Sequence, residues 1–528
     1  MIRIRSQKQM PLEGFETPFE RAMDKNNRWV KLGECIPWDA LAQAYYQNFT
    51  AKRGRPAKDA RLVIGAVIIK HKLKLSDEET VRLIQENPYL QYFCGLPGFQ
   101  TEPPFAPSLF VEIRRRMGSA VFEQFHQAII DQMASRSDQD DDQEPPSSGN
   151  CSEADTELET KPDQAGDNAS NSPEKTHQGR LILDATVAEQ AIRFPTDLGL
   201  LNESREISER LIDALYPHSP LASKPRTYRQ QARRAYLAVV KQRRPGGKPL
   251  RRGIKHQLQY LRRNLGSIET LLNSLPGRAI PLPYPQLKQY WVIQHVHAQQ
   301  AEMYRHKRRR CDDRIVSIHQ PHVRPIVRGK ANQAVEFGAK LSVSLAGNGL
   351  AHVDCIRWDA FHEGADLKHQ VEAYKVRHGF YPESVHADPA YGTRENRAFL
   401  QTKGIRYAGK PLGRPKTVTE QNAAQLKREK RQRQADYRQR IPIEGKFGQG
   451  KNGYSLSYIR AKTARTSEAW IHSIFLVMNL LVLVRHFLVP EIILGVVAEW
   501  AGFMRRIRKN GRSPGLRIIN CRMRQVCL

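Results

Sequence analysis

Arg180-Leu-Ile-Leu-Asp184-Ala-Thr-Val187 is an apolar, β-branched run that carries one carboxylate. Such a run reads as a buried strand presenting Asp184. Further strand signals follow at Glu336–Leu345 and Ala351–Trp358, joined by Ala346-Gly-Asn-Gly349, whose Asn348-Gly349 pair favours a hairpin turn. Ser384-Val-His-Ala-Asp388 reads as a short strand ending in a carboxylate, and Ile405-Arg-Tyr-Ala408 as another. Asp366 and Thr393 are placed to cap the helices between these strands, with Gly379 and Gly404 at the helix ends. The order is strand, helical insertion, hairpin, helix, strand, helix, strand, helix. It predicts an α/β fold in which a mixed sheet is flanked by helices.

Outward from this block the composition changes twice. Residues 203–312 read as a helical, very basic insertion, punctuated by Pro, Gly and Ser. Residues 134–179 hold Asp138, Asp140, Asp141, Asp142 and Glu144 among Ser, Pro, Gly and Asn, too few apolar groups to bury, and read as an acidic disordered linker. Residues 1–133 read as an all-α domain. There, Arg53-Gly-Arg-Pro56 forms a basic turn, Ala60–Leu73 an apolar helix, and Ser76-Asp-Glu-Glu79 a capping box. Ser108 is placed to cap a helix carrying Arg114 and Arg115. Short capped basic helices suit a helix-turn-helix DNA-binding module; a helical bundle with a solvated basic face fits equally well. The second domain spans 180–490, and 491–528 reads as a basic tail, with Arg505-Arg-Ile-Arg-Lys509 either contacting DNA or solvated.

The chain has 528 residues, enough for two or three domains, and a formal charge of +30 from 84 Lys and Arg against 54 Asp and Glu. An excess of that size favours a polyanionic partner through phosphate neutralisation. The seven cysteines are scattered, without a CxxC pair, which argues against a zinc ribbon and for reduced thiols in a cytoplasmic protein. Trp470–Val484 is apolar, but it is shorter than the roughly 20 residues a bilayer needs. His472 and Asn479 interrupt it, so it reads as a buried core helix and no membrane is expected. No Walker-type loop is present.

Three carboxylates stand out by placement: Asp184 in the first strand, Asp388 at a later strand end, and Glu444 beside the helix that follows the sheet. Hard divalent ions take oxygen ligands, and two of them about 4 Å apart stabilise the attacking and leaving oxygens of a phosphodiester. Glu444 lies in Tyr437-Arg-Gln-Arg440-Ile-Pro-Ile-Glu444-Gly-Lys-Phe-Gly-Gln-Gly-Lys451, a carboxylate framed by cations. One continuous helix would set these groups on a common face beside DNA phosphates. Pro442 and the glycines oppose that, and the helix can instead begin near Pro442. A strand-end or surface role is the plain alternative for each carboxylate, and packing or solvated charge for each cation.

The Tyr-Arg-Glu-Lys spacing resembles that of bacterial insertion-sequence DDE transposases. The contexts Leu-Ile-Leu-Asp184-Ala-Thr, Phe194-Pro-Thr-Asp-Leu198, Val327-Arg-Gly-Lys330, Val335-Glu-Phe-Gly-Ala-Lys340 and His386-Ala-Asp388-Pro-Ala-Tyr-Gly-Thr-Arg-Glu-Asn396 resemble the family's motifs in the same order. The resemblance implies a ribonuclease H-like domain in which Asp184, Asp388 and Glu444 hold two Mg²⁺ or Mn²⁺ ions. It also implies DNA contacts at Tyr437, Arg440 and Lys451, and end-binding N-terminal helices to which Arg114 and Arg115 contribute. The implied activity is cleavage at the ends of an insertion sequence and strand transfer into target DNA. The implied partners are double-stranded DNA, as terminal inverted repeats and target, and a second copy of the chain or a larger synaptic assembly, in a bacterial cytoplasm at the nucleoid. A metal-dependent nuclease without transfer and a decayed, DNA-binding relative are the rival readings.

Overall fold

The computed structural model describes residues 23–47, 49, 57–141, 177–244, 246–276, 279–327, 335–413, 419 and 422–510. Helices α1 (Arg28–Cys35), α2 (Trp38–Tyr46), α3 (Ala60–Leu73), α4 (Asp77–Glu86), α5 (Pro88–Phe93), α6 (Leu109–Arg116) and α7 (Ser119–Asp141) come first. Strand β1 (Arg180–Glu189) is followed by α8 (Asp197–Leu215), α9 (Arg229–Val240), α10 (Gly247–Asn273) and α11 (Tyr284–His306). Then come β2 (Arg324–Val327), β3 (Val335–Ala346), β4 (Ala351–Arg357), α12 (Leu367–His378), β5 (Ser384–Ala387), α13 (Arg394–Thr402) and β6 (Arg406–Tyr407). Two long helices, α14 (Ala423–Gly448) and α15 (Ala464–Asn510), close the fold.

The sheet runs β2-β3-β1-β5-β6, with β4 also pairing β3. β2 and β4 line the same edge of β3 end to end, because β2 pairs Val335–Gly338 and β4 pairs Lys340–Leu345. β1 is antiparallel to β3 and parallel to β5, which is parallel to β6. This mixed sheet with flanking helices is a ribonuclease H-like α/β arrangement, with the helical insertion α8–α11 between β1 and the hairpin β3–β4. The Asn348-Gly349 turn closes that hairpin as expected, with Gly349 at φ +83°, where a glycine is favoured.

β1 is almost wholly buried because both its faces are covered. Alternation sends Leu181 and Leu183 into a core with α12 and α13, and Ile182 and Ala188 into a larger core on the opposite face. Asp184 has the parity of Ile182. The larger core is continuous through the N-terminal helices, β3, β4 and the first half of α15. The N-terminal helices are therefore packed onto the sheet through α15, not hung from it as a separate bead.

Ala464–Phe487 is the one helix among the described residues long and apolar enough to cross a membrane, yet 72% of its apolar window is buried. The two polar residues that interrupt it have interior roles. Asn479 bonds both the N–H (3.0 Å) and the carbonyl (2.7 Å) of Ala351 in β4. His472 stacks on Phe122 of α7, and burial holds its ring near pKa 4, so it stays neutral.

Several expected boundaries move. α7 continues through Asp141, so the linker does not begin at 134, and Gln178 already bonds the Tyr381 carbonyl beside the sheet. The insertion's first helix starts at Asp197, earlier than 203, because the Thr196 hydroxyl caps it at Gly199. Helix α15 carries on through 491–510, where a basic tail was expected. The basic turn at 53–56, the rest of the acidic segment (142–176), Arg328–Lys330 and residues 511–528 lie outside the described residues. Ser76 forms the expected capping box, and Thr393 caps α13. Ser108 makes no side-chain cap, and neither does Asp366, which accepts from Ser342 Oγ (2.6 Å) and pairs with Arg357 instead.

Candidate active site

Helix α14 lies across β1 and β5 and is pinned by its own inward face. Ile443 is fully buried. Asp436, also buried, receives a bidentate pair from Arg406 of β6 at 2.8 and 3.1 Å. One helical turn beyond Asp436, on the same face, comes Arg440, and one turn beyond that Glu444. The helix does not restart at Pro442; it passes through it, since neighbouring contacts hold the segment although the ring removes one helical hydrogen bond. It ends in a π-turn, Gln449–Gly453, that carries Lys451.

This placement brings Arg440 against all three candidate carboxylates. Its Nη1 is 3.3 Å from Asp184 Oδ2 and 3.8 Å from Asp388 Oδ1, and its Nη2 donates to Glu444 Oε1. The residues come from three distant parts of the chain. β1 and β5 run parallel with Leu183 opposite Ala387, so Asp184 and Asp388 each come next after the last pair between these two strands. The two face the same nitrogen for that reason.

The electrostatics of the cluster are uneven. Burial pushes the Asp184 carboxyl up to about 6. The Ala185 N–H, donating to Asp184 Oδ1 at 2.8 Å, and the Arg440 charge pull it down, while the charges of Asp388 and Glu363 add to the rise. Arg440 is itself largely buried, which works against its charge, but Asp184, Glu444 and Asp388 together raise its pKa. Asp388 and Glu444 are more open, with 42% and 51% of their side chains exposed against 15% for Asp184.

Such a set of oxygen donors, one of them desolvated and crowded by like charge, suits a hard divalent cation. Among the described residues, no three His, Cys, Asp or Glu are gathered closely enough to hold a metal directly. The guanidinium lies where the carboxylates converge. The donors are of the oxygen type a hard cation takes, but in this arrangement the cation they face is Arg440.

The other expected site residues are distributed as follows. Tyr437 is 63% exposed and its ring lies 5.7 Å from the Arg440 guanidinium. Lys451 stands two turns beyond Glu444 in the π-turn. Arg115 is exposed and pairs with Glu112 at 2.7 Å. Arg114 corrects the expectation that it faces DNA. It is buried, forms a bidentate pair with Asp77 at 2.9 and 2.7 Å, and lies over the Trp470 ring of α15 at 5.2 Å. Its charge locks α6 to α4 and α15.

Glu363 was not singled out from the sequence. It adds to the negative potential at Asp184 and pairs with Lys340 of β3 at 2.8 Å. It sits in a 3₁₀ turn with no periodicity around it, so no local signal marks it.

Residues 385–481 match the transposase DDE domain family, a span that includes Asp388, Arg440 and Glu444 but not Asp184. Residues 17–116 match the transposase domain DUF772. A relative in Rhizobium meliloti, "Uncharacterized protein ORF8 in nfe locus", is 35% identical over 117 residues, which are 22% of this chain and 56% of that protein. The chain thus spans about half the length of this curated relative. No solved structure matches the chain.

Proposed function

We propose, from the premise that the chain belongs to the insertion-sequence DDE transposases, that it cuts DNA at the ends of such an element and joins the ends to target DNA. The observation that carries this reading is the meeting of Asp184, Asp388 and Glu444 around Arg440. Three acids brought together by a strand, the end of a parallel strand and a crossing helix suit phosphodiester chemistry with divalent ions.

Asp184, Asp388 and Glu444 would hold Mg²⁺ or Mn²⁺, two ions in this reading. Bound there, the ions supply charge neutralisation for the attacking and leaving oxygens of an in-line displacement. The chain's own groups do the rest. Arg440, once released from the acids, turns to a DNA phosphate through charge-assisted hydrogen bonds. Tyr437, exposed beside it, and Lys451 in the following turn extend that contact along the backbone. Arg115 contributes to end binding from the N-terminal helices. Two ends must be joined, so the working form is a homodimer or larger synaptic assembly on double-stranded DNA, in the bacterial cytoplasm at the nucleoid.

The test is a strand-transfer assay with pre-cut element ends, target DNA and Mg²⁺ or Mn²⁺. Joined products support the transposase. Cleavage of uncut ends without joined products would leave a metal-dependent nuclease. Binding without either product would leave a decayed relative.

A further inference from the structure

From Ala214 to Ile268 the chain contains fourteen Lys and Arg and no Asp or Glu. These residues build most of α9 and α10, the paired helices of the insertion. Within that run, Lys224 and Arg229 pair with Asp213, at 2.5 and 2.9 Å. No other cation of the run forms an ion pair with a carboxylate among the described residues.

Helix α10 sorts its residues strictly. Gly253, Gln257, Leu258, Leu261, Asn264, Ile268 and Leu271 are buried. Lys248, Arg252, Lys255 and Arg262 are exposed on the opposite side. Their offsets of four, seven and fourteen residues keep them within one narrow stripe at 3.6 residues per turn, roughly 21 Å long at 1.5 Å per residue. Exposed Arg233 and Arg234 of α9 belong to the same hairpin.

The two helices form a rigid support. Gln257 Nε2 donates to the Ala232 carbonyl at 2.9 Å. Gly253 lets the helices approach: a Cβ there would come within 3.0 Å of Val239.

We propose that the exposed α9–α10 face is a second DNA-binding surface, separate from the acidic cluster, that grips the phosphate backbone of duplex DNA without reading sequence. Duplex DNA presents one phosphate charge per about 1.7 Å of axis, so a stripe of this length meets many phosphates at once. Contacts of this kind fix position and carry no base information. The inference rests on the transposase reading only in naming duplex DNA as the polyanion.

The experiment compares the full chain with a Lys248→Gln/Arg252→Gln/Lys255→Gln/Arg262→Gln variant. Binding to a labelled duplex of unrelated sequence is measured across a salt series, with single-stranded RNA as competitor. All four positions are exposed and Gln keeps helix propensity, so thermal melting is expected to be unchanged. The salt slope of log K is expected to shrink by about three to four, while cleavage of a duplex carrying the element's end, per duplex bound, is expected to persist. An unchanged slope in the variant, with wild type binding normally, overturns the inference alone. RNA displacing the duplex at lower concentration than competing duplex also overturns it, because RNA would then be the ligand. A wild-type chain that binds no duplex at all removes the transposase reading with it.

Discussion

Arg440 Nη1 lies 3.3 Å from Asp184 Oδ2, an ion pair between a helix that crosses the sheet and its central strand. The same guanidinium reaches Asp388 and Glu444. A single cation thus offsets the mutual repulsion of three acids, the task assigned above to divalent ions. On this account Arg440 and the ions compete for one place.

That competition gives the first prediction. Arg440→Gln is expected to bind Mn²⁺ more tightly than wild type in the absence of DNA, by roughly tenfold, or about 1.4 kcal/mol. Its cleavage rate is expected to fall on the order of a hundredfold, since a cation facing the phosphate is lost. Calorimetric Mn²⁺ titration and single-turnover cleavage read the two effects. Weaker Mn²⁺ binding would mean that Arg440 supports the acids and does not stand in for the metal.

Asp184 sets a pH dependence. Its folded pKa, about 6, lies above the ordinary 3.8. The folded state therefore holds the proton more firmly than the unfolded chain, and stability falls as pH rises between those values. Above pH 6 the ionised carboxyl costs up to about 3 kcal/mol, taking 1.36 kcal/mol per unit. Asp184→Asn is expected to melt higher than wild type at pH 8 in chelator, to lose that advantage near pH 4, and to be inactive. Added Mg²⁺ should raise the melting temperature of wild type and not of the variant. Equal melting of the two proteins at pH 8 would contradict the desolvated carboxyl.

A third prediction concerns the seam between the N-terminal helices and the sheet. Arg377 of α12 donates to Asp354 of β4 (2.7 Å) and to Glu123 of α7 (3.0 Å), and His352 bridges the same two acids. Burial would raise the Asp354 carboxyl, but the His352 hydrogen bond and the Arg377 charge outweigh it and hold it well below the carboxylate range. Glu123 is held at about 2 in the same way, and His352 is raised by its two acid partners despite burial. The depressed acids contribute stability above about pH 4.3 that is lost as pH falls through their folded values. The raised histidine contributes stability below about pH 6.5 that is lost as pH rises through its folded value. The seam is strongest between those limits. Arg377→Met removes the guanidinium from buried Asp354, leaving it only His352 and Gln370 as partners, and is expected to cost about 3 kcal/mol in denaturant unfolding. Asp354→Asn/Arg377→Met should cost less than Arg377→Met alone. A double variant as unstable as the sum of the single ones would show that the pair is not coupled.

The parts of the fold legible in the sequence were those fixed locally. The β-branched run around Asp184, the Asn348-Gly349 turn, the Ser76 capping box and the Thr393 cap carry their geometry in a few neighbouring residues. Pro442 misled because its local preference is overridden by Ile443 and Asp436, which dock the helix on either side of it. Asp366 likewise has a cap's sequence position, but Ser342 of β3 and Arg357 of β4 engage its carboxylate instead. Arg114 looked like a surface cation because its partners, Asp77 and Trp470, lie in other elements. The convergence of Asp184, Asp388 and Glu444 depends on strand pairing and helix crossing, which no window of sequence contains.

The role proposed for Asp184, Asp388 and Glu444 is to do the chemistry. Its most direct test is Mg²⁺-dependent cleavage of a duplex carrying the element's end, by wild type and by Glu444→Gln. Glu444 is half exposed and at the end of a docked helix, so Gln leaves folding intact. DNA binding within about twofold of wild type is expected, with cleavage lowered on the order of a thousandfold. Cleavage by Glu444→Gln at the wild-type rate would contradict that role.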